Sequence, residues 1–265
     1  MKYEEYLSEK GYANNTIESY NYTVKHYMNI YGEITSGNLK SYKLWLIENC
    51  KPRTANIRIA AINNYLNFLG KIELKLQSIK VQQQTFIENV ISFPDYEYFK
   101  GCLLKDQKMM WYFIIRFLGS TGARISELLQ IKVENVKIGY VDLYTKGGKI
   151  RRIYIPSALQ SDAMKWLTDC KVESGYIFVN KNSKRLTAKG ISTQLKVLAK
   201  LYGLDQSVVH PHSFRHMFAK TFIDRYNDLA LLADLMGHES IETTRIYLRK
   251  TANEQQTIVN RTIDW

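Results

Sequence analysis

Cysteine is scarce in this sequence, which has three cysteines in 265 residues, at Cys50, Cys102 and Cys170. Their odd number and wide spacing fit neither a disulfide framework nor a zinc site. We therefore expect a reduced, intracellular protein whose thiols are buried.

Long hydrophobic runs are also missing. The longest, Met109 to Leu118, is interrupted by Arg116 and is too short to span a bilayer. The first residues, MKYEEYLSEKGY, contain no apolar stretch of the kind found in a signal peptide. Internal repeats and low-complexity tracts are absent as well. These absences argue against a secreted or membrane protein, and we expect a cytoplasmic one.

Positive charge, in contrast, is abundant. The chain has 37 lysines and arginines against 25 aspartates and glutamates, a formal net charge of +12. Such a balance suggests a nucleic-acid partner, because neutralising phosphates releases counterions and drives binding. A solvated basic surface without a ligand is the alternative, and net charge alone does not separate the two. With 45% hydrophobic residues, the chain can form a core in each of two domains.

The hydrophobic pattern of residues 1–80 predicts a small helical bundle. Apolar residues recur at helical spacing over Thr16–Tyr31, Leu39–Ile47 and Thr54–Leu69. In the last of these, the predicted apolar face consists of Ile57, Ala61, Tyr65 and Phe68. The periodicity lapses around three consecutive glutamines, so residues 81–92 are expected to be a linker.

From residue 93 onward the pattern predicts mainly helices with one small antiparallel sheet. Strand-like runs at Tyr140–Tyr144 and Ile150–Ile155 flank a glycine-bearing hairpin turn at 145–149. Helices are expected at Trp111–Leu118 (broken by residues 119–122), 124–129, 158–168, 188–202, 213–226, Leu229–Met236 and Ile241–Arg249. We therefore expect a second domain over residues 93–250, followed by a C-terminal tail at 251–265.

Two basic side chains follow or occupy glycine-containing turns. Arg124 lies in TGARISE, residues 121–127, where its planar guanidinium could bind two phosphate oxygens at once. The alternative is an exposed arginine paired with a carboxylate. Lys146 lies at the predicted hairpin tip, from which a lysine can enter a groove and donate a proton, although most turn lysines do neither.

The segment HPHSFRH, residues 210–216, holds three of the five histidines and an arginine. His212 and Arg215 lie three residues apart and so share one side of a beginning helix. Imidazole and guanidinium together suit a phosphate whose oxygens exchange protons. A metal site is the competing reading. It is disfavoured because no Asp, Glu or Cys completes a ligand set nearby and the arginine would repel a cation.

The last cluster combines a histidine and a tyrosine. His238 follows Gly237, which is expected to end a helix, and Tyr247 lies nine residues further on in a short helix. Tyr247 is one of 19 tyrosines, so it carries no information when taken alone.

In this order the clusters resemble the tyrosine recombinase (phage integrase) family. The resemblance runs through TGARISE, the TKGGK hairpin, PHSFRH and LMGHESIETTRIY, and it extends to the first 80 residues, which look like the family's core-binding domain. One departure is Met236, where leucine is common. The family implies a mainly α fold, with an N-terminal helical, SAM-like core-binding bundle and an α-rich catalytic domain that carries a small antiparallel β-sheet.

The resemblance implies that Arg124 and Arg215 clamp the scissile phosphate while Tyr247 attacks phosphorus to form a 3′-phosphotyrosyl link. Such charge stabilisation can replace a metal ion. One phosphodiester is exchanged for another, so we expect an enzyme that requires no ATP, metal or cofactor.

The resemblance also assigns residues to proton transfer and support. His212 would be the base or proton relay, Lys146 the general acid toward the 5′ oxygen, and His238 a hydrogen-bonding partner of the phosphate. Glu127 would support the site by orienting His212 or Arg215.

The implied partner is double-stranded DNA with core sites in inverted repeats, clamped between the two domains. Candidate DNA contacts, each equally compatible with a solvated helix face, are Arg53, Arg58, Lys189, Gln194 and Lys196. The tail at 251–265 would dock on a neighbouring protomer, with four protomers on two DNA sites.

Several readings stay open at this point. The biological role could be Xer-type resolution, integration or excision of a mobile element, or inversion of a DNA segment. The sequence starts close to the core-binding bundle, which favours a simple Xer-like or invertase-like enzyme without an arm-binding domain, although small mobile-element integrases look the same. A catalytically inactive DNA-binding protein of this fold and a type IB topoisomerase remain alternatives.

Overall fold

The computed structural model describes residues 2–81, 89–144, 150–238, 240–248 and 252–263. The chain divides into two compact units, one ending at residue 83 and the other beginning at residue 84. The predicted hairpin turn with Lys146 and most of the predicted linker lie outside the described residues.

The first unit is helical, as predicted. Its helices are α1 (Tyr3–Glu9), α2 (Asn14–Tyr31), α3 (Ser36–Asn49) and α4 (Pro52–Phe68), followed by a 3-10 turn at Ile72–Leu74. Pro52 occupies the first position of α4, where its missing N–H costs no hydrogen bond. The sequence pattern located the last three of these helices, while α1 was not individually predicted.

The predicted apolar face of α4 was partly wrong. Ile57 is 53% exposed, whereas Ile59, Ile62 and Leu66 are buried in the core of the unit beside Tyr42. Ile57 and Ile59 are two residues apart and therefore lie on nearly opposite sides of a helix. The predicted apolar face of α4 is therefore rotated about the helix axis relative to the face that is buried.

Two asparagines on α4 attach the following segment to the helix. The Asn63 amide accepts from the Leu76 N–H and donates to the Leu76 carbonyl, and Asn56 makes the same pair of bonds with Ile79. Each asparagine thereby satisfies backbone groups that no regular secondary structure pairs. The segment that contains Leu76 and Ile79 is thus attached to α4, before the predicted linker begins.

The second unit is mainly helical and contains the small sheet that the sequence predicts. Its helices are α5 (Phe93–Lys105), α6 (Met109–Thr121), α7 (Ile125–Leu128), α8 (Val133–Ile138), α9 (Ser157–Asp169), α10 (Ala188–Leu201), α11 (Pro211–Arg225), α12 (Leu229–Met236), α13 (Ile241–Arg245) and α14 (Ala252–Thr262), with a 3-10 turn at Ile246–Leu248. The helical pattern missed the short α8. It also placed the break after α6 too early, because residues 119–121 are helical and the helix ends at Gly122.

The sheet consists of β1 (Tyr140–Tyr144) and β2 (Ile150–Tyr154), paired antiparallel with Tyr144 opposite Ile150. Alternate residues of each strand are buried: Val141 and Leu143 on β1, Arg151 and Ile153 on β2. The sheet therefore presents one arginine on its buried face.

The core of this unit lies around α6, which is apolar on most sides. Phe113 stacks on Trp166, and Phe117 contacts Phe178 edge-on. α6 also packs along α11, and Gly119 on α6 lies beside Met217 of α11. The close packing of these two helices brings the C-terminal end of α6 next to Met217 and Phe218, in the middle of α11.

The expectation of buried thiols was wrong. Cys170 is exposed, and Cys50 and Cys102 are half-buried. Within the part of the chain that the structure describes, no helix is both long enough and apolar enough to cross a membrane.

Candidate active site

Glu127 is the carboxylate around which the site is built. Its Oε2 accepts a hydrogen bond from the backbone N–H of Arg124 at 2.6 Å, which closes the first turn of α7. Its Oε1 accepts from Arg124 Nη1 at 2.8 Å. The second terminal nitrogen of Arg124 donates to the Gly237 carbonyl at 3.0 Å. Arg124 is thus held from two directions while 35% of its side chain stays exposed to solvent.

Arg215 is held by the ends of two helices. Its Nη1 donates to the carbonyl of Gly122, directly after α6, and its Nη2 donates to the carbonyl of Met236, the last residue of α12. Carbonyls at helix C-termini lack intrahelical partners and attract cations. Burial, with Arg124 and Arg151 nearby, lowers the Arg215 pKa to about 10, so the guanidinium stays charged at neutral pH.

Both helix ends require glycine. Gly122 and Gly237 adopt left-handed backbone conformations, with φ of 62° and 59°. A Cβ would overlap the Phe218 ring at Gly122 and the Arg151 side chain at Gly237. These two glycines therefore allow the close approach on which the arginine positions depend.

Arg151 is part of the site, although it was not among the residues predicted from the sequence. Its Nη1 forms an ion pair with Glu127, and its Nη2 donates to the Leu235 carbonyl at 2.8 Å. Burial raises the Glu127 pKa, but Arg151 and Arg124 outweigh that effect and hold the pKa below its ordinary value. The signal was present in the sequence: IRRIY places an arginine on the same strand face as Ile153.

Three guanidinium groups thus surround one carboxylate. Arg215 Nη1 is 4.0 Å from Glu127 Oε2, in addition to the closer contacts that Arg124 and Arg151 make. The four side chains together carry two excess positive charges. Such a surplus is costly in a buried site without an anion, and it indicates that the site binds an anion.

Tyr247 lies against this cluster, in the 3-10 turn that follows α13. It is only 4% exposed and packs with apolar side chains of α11 and α12, namely Ala219, Ile223, Leu232 and Met236. Burial raises the Tyr247 pKa, while Arg215 and Arg124 oppose the shift. Because the Tyr247 pKa lies above its ordinary value of about 10, the phenol is protonated at neutral pH.

His238 connects the arginines to the tyrosine. Its Nε2 accepts a hydrogen bond from Arg215 Nη2 at 3.1 Å, so its Nδ1 carries the proton and donates to Thr244 Oγ1 at 2.8 Å. Its ring lies nearly parallel to the Tyr247 ring, at 10° and a centroid distance of 6.4 Å. Burial and the nearby arginines lower the His238 pKa to about 4, so the imidazole is neutral.

The two histidines of α11 have different surroundings. His212 is exposed, and burial of part of its ring together with Arg215 and Arg124 lowers its pKa. His216 places its Nδ1 3.0 Å from the Tyr247 hydroxyl. Glu127, which the sequence analysis assigned to orienting His212 or Arg215, has its shortest contacts with Arg124 and Arg151 instead.

The remaining predicted residues lie elsewhere or are not described. Arg53 is exposed and Arg58 half-buried in the first unit. On α10, Lys189 and Lys196 are exposed and Gln194 is half-buried. Lys146 lies outside the described residues. Within the described part of the chain, no group of three His, Cys, Asp or Glu side chains is arranged to hold a metal ion.

The family model "Phage integrase family" matches residues 80–254 of this chain. The chain belongs to the phage integrase family. The model "Phage integrase, N-terminal SAM-like domain" also matches, over residues 1–71. The resemblance stated from the four sequence clusters is therefore confirmed.

Curated relatives of this phage integrase family member carry recombinase names. It is 29% identical to "Tyrosine recombinase XerA" of Pyrococcus furiosus, over 97% of this chain and 91% of the relative. It is 26% identical to "Tyrosine recombinase XerD" of Listeria monocytogenes, over 92% and 91%. A mobile-element protein, "TnP I resolvase" of Bacillus thuringiensis, is 27% identical over 93% of each chain.

Solved structures share the fold. The Tn1549 transposon integrase in complex with transposon right end DNA superposes with a TM-score of 0.73 at 15% identity, covering 98% of each chain. The XerH site-specific recombinase bound to difH substrate gives a TM-score of 0.72 at 18% identity, covering 94% of this chain and 80% of XerH.

Proposed function

We propose that this protein is a site-specific DNA recombinase that cleaves and rejoins strands through a 3′-phosphotyrosyl intermediate on Tyr247. The observation that carries the proposal is the buried tyrosine beside three guanidinium groups that share one carboxylate. No other tyrosine among the described residues is in that environment.

The charge of the site suits a phosphodiester. The two excess positive charges exceed the single negative charge of a DNA phosphate and match the additional charge that develops on its non-bridging oxygens. Arg124 is the arginine that solvent reaches, so we assign it the first contact with the phosphate. We assign Arg215 the second contact, because two backbone carbonyls already hold its guanidinium in a fixed orientation.

The proposed reaction exchanges one ester for another. The Tyr247 oxygen bonds to phosphorus, the bond from phosphorus to the 5′ oxygen breaks, and the departing oxygen takes a proton, which we assign to Lys146. The 5′ hydroxyl of a second strand then attacks the phosphotyrosyl link and releases Tyr247. Because the ester bond is conserved, we propose that neither ATP nor a metal ion takes part.

The family implies a partner, and the charge distribution supports it. We propose that the chain binds a duplex with inverted core sites, using residues 1–80 as the core-binding domain and residues 93–250 as the catalytic domain. Lys189 and Lys196, both exposed on α10, are the candidate contacts best placed for DNA phosphates. Relatives named as Xer recombinases, a resolvase and a transposon integrase leave resolution, integration, excision and inversion as possible roles.

The C-terminal tail is the proposed oligomerisation element. α14 exposes Val259, and Ile263 directly after it is exposed as well, with 52% and 48% of these apolar side chains open to solvent. We propose that they dock on a neighbouring protomer when four copies assemble on two sites. Deleting residues 252–265 should weaken cooperative assembly in a gel-shift titration. Recombination at the full-length rate by the truncated chain would rule this out.

The decisive experiment measures covalent attachment to DNA. The full chain would first select its site from a random-sequence duplex pool, and that duplex would then be rebuilt with a nick beside the cleavage position. The intact protein should accumulate a covalent adduct, while Tyr247→Phe should bind the same duplex and form none. Binding without an adduct would indicate an inactive DNA-binding protein, and relaxation of supercoiled plasmid without site preference would indicate a topoisomerase.

A further inference from the structure

The nucleophile hydrogen-bonds one histidine, and it is not the histidine that the sequence resemblance selected. His212 and His216 lie one helical turn apart on α11, with ring centroids 5.6 Å apart. His216 Nδ1 is 3.0 Å from the Tyr247 hydroxyl, and the two rings are in contact at 5.4 Å. Between His212 and Tyr247 the structure describes neither a hydrogen bond nor a ring contact.

We propose that His216 is the catalytic residue that takes the proton from Tyr247, and that His212 instead faces the phosphate. This inference rests on the proposed function. The supporting geometry is the direct contact of His216 with the Tyr247 oxygen, together with the exposure of His212 near Arg124, the most exposed of the three clustered arginines.

The atoms of the proposed step balance. As the Tyr247 oxygen bonds to phosphorus, its proton passes to His216 Nδ1, and the 5′ oxygen leaves and takes a proton from the general acid. The imidazolium formed returns its proton to the tyrosyl oxygen when the second strand displaces it. No oxidant, metal or further reactant enters the balance.

The state of His216 in the free protein suits an acceptor. Burial, the neighbouring His212 and His210, and Arg215 lower its pKa to about 4, so the imidazole is neutral at neutral pH. In the tautomer that carries its proton on Nε2, Nδ1 accepts a hydrogen bond from the phenol. The other groups that face it are Tyr247 and His238, and both are neutral. A bound phosphate adds a negative charge that offsets Arg215, so the basicity of His216 rises only when substrate is present.

One test needs no DNA and addresses the contact alone. The ¹⁵N resonances of the imidazole nitrogens would be assigned in the full-length protein and compared with those of Tyr247→Phe. The His216 Nδ1 signal should move toward the position of a nitrogen without a hydrogen-bond donor, while the His212 signals stay in place. An unchanged His216 signal would overturn the inference, whatever the protein does to DNA.

The second test separates the base from the phosphate contact by pH. Adduct formation on the selected, nicked duplex would be followed in single turnover across pH for the wild type, His216→Asn and His212→Asn. Asparagine keeps an oxygen near the position of Nδ1 but is not a base. Adduct formation by His216→Asn should be about 100-fold slower than by the wild type, the lower range for a general base. The wild-type rate should fall at acidic pH as His216 becomes protonated, and the rate of His216→Asn should not. His212→Asn should keep that slowing, whatever its rate.

The outcomes are distinct from those that test the function itself. If adduct formation by His216→Asn still slows at acidic pH, or if that slowing disappears in His212→Asn, the proton acceptor would be His212 and the inference would be wrong. His216→Gln serves as a second variant if His216→Asn fails to bind the duplex in a gel shift. A wild type that forms no adduct on any selected site would instead refute the proposed recombinase function and leave the NMR result standing.

Discussion

Each unit of the molecule holds a half-buried or buried arginine, by different means. In the first unit, the Arg58 guanidinium lies over the rings of Tyr22 and Trp45, at 5.5 and 5.9 Å from their centroids. In the second, Arg151 and Arg215 are fixed by Glu127 and by helix-end carbonyls. Arg58 Nη1 is buried and has no hydrogen-bond partner among the described residues.

The two environments differ in whether they fix the orientation of the guanidinium group. An aromatic face attracts a cation without fixing where its N–H groups point. Carbonyls and carboxylates accept along defined directions and thereby orient the guanidinium. The first unit thus stabilises a charge without orienting it, whereas the second holds two guanidinium groups in defined orientations around Glu127.

The largest expected effect is on the stability of the second unit. Arg151→Met removes one partner of a buried ion pair, and we expect it to lower the free energy of unfolding by about 3 kcal/mol. The control is Arg152→Met, on the opposite face of the same strand, whose ion pair with Asp142 is exposed. Its loss should cost less than about 1 kcal/mol. Urea denaturation of both variants measures their free energies of unfolding. Equal losses of stability would contradict the structural importance of the buried ion pair of Arg151.

Arg215→Lys should act mainly on catalysis. A lysine ammonium has three N–H groups, so donating to the Gly122 and Met236 carbonyls would leave it a single donor for a phosphate, and it lacks the planar fork that binds two oxygens at once. We expect adduct formation on the nicked duplex to slow by about 100-fold. Arg245→Lys, which alters an exposed ion pair with Glu242, should leave the rate unchanged. A comparable loss in both variants would indicate a general charge effect.

In the first unit the expected effect is smaller. Arg58→Met should lower the free energy of unfolding by about 1 kcal/mol, the contribution of a partly desolvated cation–π contact. Arg53→Met, at an exposed position five residues earlier, should have no measurable effect. A loss for Arg58→Met as large as that for Arg151→Met would remove the contrast between the two units.

The pH dependence of stability gives the subtlest test. The pKa of His216 and that of His238 are about 4, below the ordinary value of about 6.5. Between those values the unfolded chain binds protons on both side chains and the folded chain does not. The free energy of unfolding should therefore fall as pH is lowered through this window and be fully retained above it. The double variant His216→Asn/His238→Asn should lose less stability between pH 7 and pH 5 than the wild type, and identical losses would contradict these pKa shifts.

The fold was predictable from the sequence because most helices carry a strong period and clear ends. The limits were physical: α8 is too short to show periodicity, and Ile57 is apolar yet exposed. Of the site, the order of the clusters brought Arg124, Arg215, His238 and Tyr247 to attention, and the structure places them together. Arg151 was missed because a charged residue in a strand is usually read as solvent-facing. The contact of His216 with Tyr247 depends on the packing of the 3-10 turn against α11, which no local pattern encodes.

The ion pair between Arg151 and Glu127 also limits how far Lys146 can lie from the site. Lys146 precedes Arg151 by five residues. A fully extended chain advances at most about 3.6 Å per residue, so the Cα of Lys146 can lie no further than roughly 18 Å from that of Arg151. The Cα of Lys146 therefore stays within that distance of Arg151, whose position is fixed by its ion pair with Glu127. The covalent chain alone therefore limits how far the proposed general acid can lie from the arginine cluster beside Tyr247.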